Sequence, residues 1–385
     1  MQGAGYMARI HFSVCGLGLG HASRCRPIIL EAIKRGHDVT VSTYGDAVDY
    51  FERVGLSVLK VPAVDYGRDA RGAVSIKATL LSNVFLPMKV AAQTLIEARI
   101  IEESGAEVVV SDTRASAVLA SRLTGIPSTL ILNQYNVLLQ RDRLPRLAAF
   151  FEDIINSFTV VWSLSHRLLI ADYPHPLTIS TENLRMRKVD EPRAEFVGPI
   201  LEKLPSDYPP RDRLKEKLGF DPSIPLIAVI PTGPQPDRIR LRDLMMPLLH
   251  RQKDFQAIMT GAVGDQSREG LRFVEWYENE YELLAASDVV VTRAGQTLAA
   301  KALAFNCRLV LIPIPRQTEQ ESNAKSLAGK GVAVILKEED LSLESLSASV
   351  KKALDEIEAA AINRYSSFTA NVRPVEKILD MVLSL

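Results

Sequence analysis

The chain has 385 residues, of which 47% are hydrophobic, so it is long enough for two cores of ordinary domain size. Its 46 lysines and arginines balance its 46 aspartates and glutamates, which excludes binding of nucleic acid or an anionic membrane by overall charge. Its three cysteines are odd in number and lack metal-ligand spacing, which argues against a disulfide framework and a zinc site.

The first half alternates short apolar runs with amphipathic stretches, the pattern of parallel βαβ units. The predicted strands are residues 10–14, 39–42, 58–61, 108–110, 129–132 and 168–170, and the predicted helices include residues 22–35, 46–54 and 115–123. This pattern predicts a doubly wound, Rossmann-like α/β domain over residues 1–198. Too few residues precede the first strand for a signal peptide, so a cytoplasmic location is expected.

A glycine-rich loop follows the first predicted strand, where residues 16–21 read Gly-Leu-Gly-Leu-Gly-His. The spacing differs from the dinucleotide pattern, and no acidic residue ends the second strand, which argues against a nicotinamide dehydrogenase. His21 begins a helix, whose dipole is expected to keep the imidazole neutral and able to accept a proton. His21 is therefore a candidate general base, and its alternative role is to cap the helix.

Polar residues also follow two later strands of the first half. Asp112 ends one strand, where it can serve as a helix N-cap or face a ligand, and Asn133 and Gln134 follow the next. With Gly18 and Gly20, these residues are the candidates for binding an acceptor molecule.

Two stretches, residues 80–95 and 141–162, combine apolar side chains with basic ones in a helical pattern. Such a stripe either faces the core or lies on a membrane surface, and a peripheral contact at the inner face of a membrane is the second interpretation.

A proline-rich, charged stretch over residues 199–225 predicts the connection to a second domain over residues 226–362. Its predicted strands are residues 226–230, 256–260, 289–292, 309–312 and 332–335. The last stretch, residues 363–385, predicts a helix that crosses back onto the first domain. Two such domains are expected to face a cleft at the carboxyl ends of both sheets.

The second domain carries the candidates for binding a diphosphate. Arg293, Gly295 and Gln296 form a turn between a strand and a helix N-terminus, which attracts anions without a metal ion. A weaker signal is the loop with Thr232 and Gly233, because its prolines remove N–H donors. Further polar side chains follow a later strand at Glu319, Gln320 and Asn323.

Residues 10–41, with their Gly-Leu-Gly-Leu-Gly-His loop, and residues 288–324, with their Arg-Ala-Gly turn, resemble the MurG-type group of GT-B glycosyltransferases and its archaeal counterparts. This resemblance implies that His21 deprotonates an acceptor hydroxyl and that the second domain binds a UDP-sugar. It further implies that Gly295 and Gln296 meet the diphosphate and that Glu319, Gln320 and Asn323 meet the sugar. Because the group includes enzymes with lipid-linked acceptors, a lipid, a glycan or a small molecule remains open as acceptor.

The sequence departs from that group at two positions. Lys301 stands where the group has a glutamate that clasps the ribose, and Leu201 where a phosphate-contacting arginine is common. The Lys301 ammonium can turn towards a donor phosphate or reach solvent, as surface lysines do, and we expect the second.

The resulting prediction is an inverting, metal-independent transfer of a sugar from a nucleotide-diphosphate donor to an acceptor hydroxyl. The alternatives are a UDP-N-acetylglucosamine 2-epimerase of the same architecture and a non-catalytic donor-binding subunit.

Overall fold

The computed structural model describes residues 6–63, 86–139 and 145–385. Their contacts divide the chain into two compact units. The first unit runs to Pro174 and also takes in Glu182–Glu202 and Arg373–Leu385. The second unit consists of His175–Thr181 and Lys203–Val372. The chain therefore enters and leaves the first unit more than once.

The first unit is built on a sheet whose neighbouring strands, among the described residues, are all parallel. Its strands are β1 (Arg9–Val14), β2 (Asp38–Thr43), β3 (Leu59–Lys60), β4 (Val108–Asp112), β5 (Ser128–Leu132), β6 (Arg167–Ile170) and β7 (Ala194–Phe196). They lie in the order β3-β2-β1-β4-β5-β6-β7, so the order reverses between β1 and β4. Open α/β sheets bind ligands beside such a reversal, at the carboxyl ends of the strands.

Helices connect these strands, as parallel pairing requires. They are α1 (Gly20–Lys34), α2 (Asp46–Arg53), α3 (Leu86–Ser104), α4 (Ala115–Thr124) and α5 (Pro145–Ser157). The side chains of Ile10, Phe12 and Val14 on β1 are fully buried in one core with the apolar residues of α1. Because side chains alternate along a strand, His11 points to the opposite face.

That opposite face carries a buried polar network. The Nε2 atom of His11 lies 2.7 Å from the carboxylate of Glu97 on α3, which also pairs with Arg114 at 2.6 Å and accepts a hydrogen bond from Ser42. Burial raises the pKa of Glu97, but the hydrogen bond from His11 and the charge of Arg114 outweigh it and lower the pKa to about 2. Glu97 is therefore a buried, paired carboxylate at neutral pH.

Between Met88 and Glu97, helix α3 turns polar side chains inwards and apolar ones outwards. Gln93, Thr94 and Glu97 are buried, whereas Met88 and Leu95 are each 68% exposed. In the predicted surface stretch 80–95, residues 80–85 lie outside the described part, but the described apolar residues Met88 and Leu95 do not face the core. In the stretch 141–162, residues 141–144 and the side chains of Leu147, Phe150, Phe151, Ile154, Ile155 and Phe158 lie outside the described part.

Among the described helices, none is long and apolar enough to cross a membrane.

The second unit repeats the architecture with its own sheet. Its strands are β8 (Leu226–Ile230), β9 (Gln256–Thr260), β10 (Gln266–Arg268), β11 (Leu271–Val274), β12 (Val289–Thr292), β13 (Arg308–Leu311) and β14 (Ala333–Ile335). They lie in the order β10-β11-β9-β8-β12-β13-β14, and among the described pairs only β10 runs antiparallel to its neighbour. Both units are thus doubly wound, Rossmann-like α/β domains.

The remaining helices are α6 (Arg211–Lys217), α7 (Gln235–Arg251), α8 (Glu280–Ala286), α9 (Gln296–Ala304), α10 (Thr318–Gly329), α11 (Leu343–Glu356), α12 (Ala359–Ala370) and α13 (Pro374–Leu383). The single helix predicted over residues 363–385 is wrong, because the chain forms α12 and α13 with a break between them. Pro374 lacks an N–H and starts α13 at its first turn, where none is needed. The helix α13 then packs on α1 through Ile378, Leu379 and Val382.

Candidate functional site

In the first unit, the loop after β1 depends on glycines. A Cβ atom on Gly16 would lie 1.7 Å from the carbonyl oxygen of Tyr44, so only glycine fits there. Gly18 has a φ of +73°, a conformation that glycine adopts without strain. The chain then enters α1 at Gly20, and His21 follows with its side chain only 14% exposed.

His21 is hydrogen-bonded to Asp112, the last residue of β4. The imidazole Nδ1 lies 2.6 Å from Asp112 Oδ1. The buried guanidinium of Arg24 grips the same carboxylate, with Nε 2.5 Å from Oδ2 and Nη2 2.6 Å from Oδ1. The neighbouring strands β1 and β4 bring these groups together, since Val14 pairs with Asp112 in the sheet.

The proton on His21 lies between Nδ1 and the carboxylate. A carboxylate only accepts hydrogen bonds, so Nδ1 must carry the hydrogen that it donates to Asp112. In the neutral imidazole this leaves Nε2 with a free lone pair, which is the arrangement of a general base.

The expectation that His21 is neutral is wrong for the protein without ligands. Burial lowers the pKa of His21, but the negative charges of Cys15 and Asp112 raise it against the opposing charge of Arg24, to about 9. A helix dipole contributes on the order of 0.3–1 kcal/mol, less than a hydrogen-bonded carboxylate, which shifts a pKa by about 1–3 units. At neutral pH His21 is therefore an imidazolium paired with Asp112.

Two buried cysteines border this pair. Burial raises the pKa of the Cys15 thiol, but the charge of His21 lowers it to about 7. Burial and the charge of Asp112 raise the pKa of Cys25 well above its ordinary value, and the Cys25 thiol donates to Asp112 Oδ2 at 3.2 Å. The positive charge of His21 thus favours the thiolate form of Cys15.

The predicted role of Asp112 in binding an acceptor is wrong. Its carboxylate is fully buried, and both oxygens accept hydrogen bonds from His21, Arg24 and Cys25. Its side chain also does not cap α4, whose N-cap residue is Arg114. Sequence reasoning missed Arg24, although its position three residues after His21 places both on one face of α1.

Asn133 and Gln134 follow β5, which is the neighbour of β4. Asn133 is 6% exposed, and its Oδ1 has no hydrogen-bond partner within the described residues. Gln134 is partly buried. Their place at the carboxyl edge of the sheet leaves them as candidates for contact with an acceptor.

In the second unit, the turn after β12 leads into α9. The backbone of Gly295 has an ordinary φ of −70°, and a Cβ atom there would meet nothing within 4 Å. Space is therefore open beside the N-terminus of α9, whose first residue is Gln296. Unpaired N–H groups at such a terminus attract anions.

Gln320 and Asn323 brace this turn from inside the unit. Gln320 accepts hydrogen bonds from the backbone N–H groups of Ala294, at 3.2 Å, and Ile314, at 3.0 Å. Asn323 is fully buried and donates to the carbonyl oxygen of Ala294 at 3.1 Å. These contacts shape the turn, and contact of Gln320 and Asn323 with the sugar stays a prediction.

Arg293 is also turned away from the open space. It is fully buried, and its Nη2 lies 2.6 Å from the carboxylate of Glu338. Further hydrogen bonds run from Arg293 to the carbonyl oxygens of Ile312 and Asp237. The prediction that this arginine binds the diphosphate is wrong, because its charge is neutralised inside the unit.

The three remaining candidates for donor binding, Thr232, Gly233 and Glu319, follow the neighbouring strands β8 and β13. The hydroxyl of Thr232, after β8, lies 3.1 Å from that of Thr292 at the end of β12. Gly233 adopts a φ of +102°, and Glu319 is a partly buried residue in the first turn of α10. The adjacent strands β8, β12 and β13 thus bring their carboxyl ends to one edge.

The expectation that the Lys301 ammonium reaches solvent is wrong. It is 2% exposed, and its Nζ lies 2.8 Å from Glu280 Oε2 and 5.0 Å from the centre of the Tyr281 ring. Leu201 is likewise buried, at 4% exposure, in the first unit. Among the described residues, no group of three or more histidine, cysteine, aspartate or glutamate side chains is placed to hold a metal ion.

Two family models match the chain. The model for the glycosyltransferase family 28 C-terminal domain matches residues 236–378, most of the second unit. A model described as glycosyl transferase family 1 matches residues 8–161 of the first unit.

The relatives with similar sequences include glycosyltransferases of archaea and bacteria. An uncharacterized glycosyltransferase of Methanopyrus kandleri is 26% identical over 345 residues, covering 88% of this chain and 92% of the relative. The UDP-N-acetylglucosamine–N-acetylmuramyl-(pentapeptide) pyrophosphoryl-undecaprenol N-acetylglucosamine transferase of Desulforamulus reducens is 34% identical over 111 residues, covering 26% of this chain and 30% of the relative.

Two crystal structures share the fold across nearly the whole chain. MurG of Acinetobacter baumannii has a TM-score of 0.57 and 15% identity, covering 98% of this chain and 100% of its own. A Streptomyces sp. SF2575 glycosyltransferase complexed with thymidine diphosphate has a TM-score of 0.63 and 16% identity, covering 98% of this chain and 100% of its own.

Proposed function

Since the chain is a glycosyltransferase of the GT-B fold related to the MurG type, we propose that it transfers a sugar from a nucleotide-diphosphate donor to an acceptor hydroxyl with inversion, using His21 as general base. The observation that carries this proposal is the 2.6 Å hydrogen bond between His21 Nδ1 and Asp112. It fixes the tautomer whose Nε2 can take the acceptor's proton.

The chemical step follows from this geometry. Deprotonated His21 takes the proton of the acceptor hydroxyl at Nε2, and the hydroxyl oxygen forms a bond to the anomeric carbon. The bond from that carbon to the diphosphate oxygen breaks, and its electron pair leaves with the diphosphate. Attack opposite the leaving group inverts the anomeric carbon. Asp112 stabilises the imidazolium that forms, and no step needs a metal ion.

The donor diphosphate is assigned to the N-terminus of α9 in this proposal. The open space at Gly295 and the N–H groups at Gln296 support it, because a helix N-terminus carries a partial positive charge. UDP is the favoured carrier, because the Desulforamulus reducens relative is named for a UDP-sugar donor. Thymidine diphosphate, present in the Streptomyces structure, is the second candidate.

The acceptor is assigned to the first unit, beside Gly18, Gly20, Asn133 and Gln134. The unpartnered Oδ1 of buried Asn133 supports a polar acceptor, since an unpaired buried oxygen costs about 1–3 kcal/mol. The relative from Desulforamulus reducens is named for an undecaprenol-linked acceptor, so a lipid-linked one is included.

A peripheral membrane contact through α3 belongs to the same proposal. The exposed side chains of Met88, Ala91, Ala92 and Leu95 support it, because they lie on one helix face. Co-sedimentation with vesicles should fall when Met88 and Leu95 are both changed to Ser.

The deciding experiment measures release of nucleotide diphosphate from a panel of UDP- and TDP-sugars with candidate acceptors, in the presence of EDTA. His21→Ala should lower turnover by about 10²-fold or more with donor affinity unchanged. His250→Ala, which changes an exposed histidine on α7, is the matched control and should keep full turnover. Near-normal turnover in His21→Ala, or release of a free sugar epimer without acceptor, would overturn the proposal.

A further inference from the structure

Arg24 contacts both partners of the candidate base. It is 2% exposed, and its Nε and Nη2 atoms hold the two oxygens of Asp112 in a bidentate pair. Its Nη2 also lies 2.9 Å from His21 Nδ1 and 3.1 Å from Thr113 Oγ1. A planar guanidinium held by several contacts fixes its partners more rigidly than a lysine ammonium can.

The contact between Arg24 and His21 has a consequence for the proton on the imidazole. Both Asp112 Oδ1 and Arg24 Nη2 approach the same ring nitrogen, at 2.6 and 2.9 Å. A hydrogen on Nδ1 satisfies the carboxylate and leaves Nε2 free to accept a proton. If Nδ1 instead accepted from the guanidinium, the hydrogen would sit on Nε2 and block it. The carboxylate must therefore be held in place for the base to work.

Charge balance gives a second consequence. The groups facing His21 are Cys15 from the loop after β1, Arg24 on its own helix and Asp112 from β4, while Cys25 faces Asp112. The negative groups favour the imidazolium, and Arg24 is the positive charge that opposes them. Without the positive charge of Arg24, the negative charge of the buried Asp112 carboxylate would be neutralised mainly by protonated His21.

We infer that Arg24 is a positioning residue which orients Asp112 towards His21 and limits how firmly the imidazole holds its proton. This inference rests on the proposed role of His21, and it deepens that role by explaining how the base releases its proton in each cycle. Arg24 touches neither donor nor acceptor in this scheme, and it acts through Asp112.

The test titrates His21 by NMR in protein labelled with ¹⁵N-histidine, with the resonance assigned by its loss in His21→Gln. In Arg24→Met the His21 titration should move to higher pH by about one unit or more. In Arg24→Lys, which keeps the positive charge, it should stay near that of the natural protein. In the double variant Arg24→Met/Asp112→Asn it should move to lower pH, because both charges are gone.

An unchanged His21 titration in folded Arg24→Met would overturn the inference. If that variant fails to fold, Arg24→Lys decides through the ¹⁵N shifts of the neutral ring: loss of the Nδ1–H tautomer is expected, because an ammonium cannot hold both oxygens of Asp112. Retention of the Nδ1–H tautomer in Arg24→Lys would overturn it. The NMR titration needs no substrate, so it is independent of the turnover assay. Normal turnover in His21→Ala would refute the proposed function, whereas an unchanged His21 titration in Arg24→Met would refute only the inference.

Discussion

The buried Lys301–Glu280 ion pair in the second unit offers a direct test of how charge is held in this fold. The lysine side chain is 3% exposed and the glutamate side chain 34% exposed, so Glu280 can rehydrate when its partner is removed and Lys301 cannot. Lys301→Met keeps the length of the side chain and removes the charge. Lys301→Glu places a carboxylate in the same buried position, facing Glu280.

The magnitudes follow from the 2.8 Å separation. At an effective dielectric constant of about 20, the attraction at this distance is about 6 kcal/mol, most of which desolvation of the lysine offsets. We therefore expect Lys301→Met to cost about 1–2 kcal/mol. Lys301→Glu should cost about 3–5 kcal/mol, because it leaves a buried charge without a partner. The swapped double variant Lys301→Glu/Glu280→Lys should recover part of that loss.

The assay exploits the two tryptophans of the chain, because Trp162 lies in the first unit and Trp276 in the second. In a Trp162→Phe background, guanidinium unfolding followed by fluorescence reports the second unit alone. Lys217→Met is the control: Lys217 pairs with Glu282 on the same helix as Glu280 but is 67% exposed, and its loss should cost less than about 1 kcal/mol. Equal stability of Lys301→Met and Lys301→Glu would refute the reasoning.

Two further predictions concern the proposed catalytic and donor sites. The value of kcat/KM should rise about tenfold per pH unit below the His21 pKa of about 9 and level off above it, because only the deprotonated imidazole accepts a proton. A pH–rate profile in which kcat/KM declines between pH 7 and 9 would contradict this. Gly16→Ala should lower the melting temperature strongly, since its Cβ atom would lie 1.7 Å from the Tyr44 carbonyl oxygen. Gly295→Ala, whose Cβ atom would meet no atom within 4 Å, should leave the melting temperature unchanged and weaken binding of nucleotide diphosphate. Calorimetric titration and thermal unfolding of both variants check the pair.

The sequence predicts the strands well where a strand is apolar and buried on both faces. The predicted strands at β8, β9 and β12 match the structure to the residue, because continuous apolar runs between polar turns leave little choice. The strands β7, β10 and β11 were missed. They have three or four residues, β7 and β10 lie at sheet edges, and pairing with neighbours rather than composition defines all three.

The sequence indicated which strand ends carry the candidate residues, but not the contacts that those residues make. His21 and Gly295 follow their strands as the pattern indicates, because glycine turns before helices leave a strong local signal. The roles of Asp112, Arg293 and Lys301 were misjudged for one shared reason. A sequence shows that a residue is charged, but not that an oppositely charged partner from another segment already pairs with it.

The return of α13 to the first unit reverses the usual order in which a chain folds during its synthesis. Domains near the N-terminus generally fold first, as they leave the ribosome. Here Ile378, Leu379 and Val382 complete the core around α1, so the first unit stays open until residues 374–383 have left the ribosome. The second unit, which lies almost wholly within Lys203–Val372, has its complete sequence earlier. A nascent chain stalled just before Arg373 would therefore expose the apolar face of α1 and offer it to chaperones.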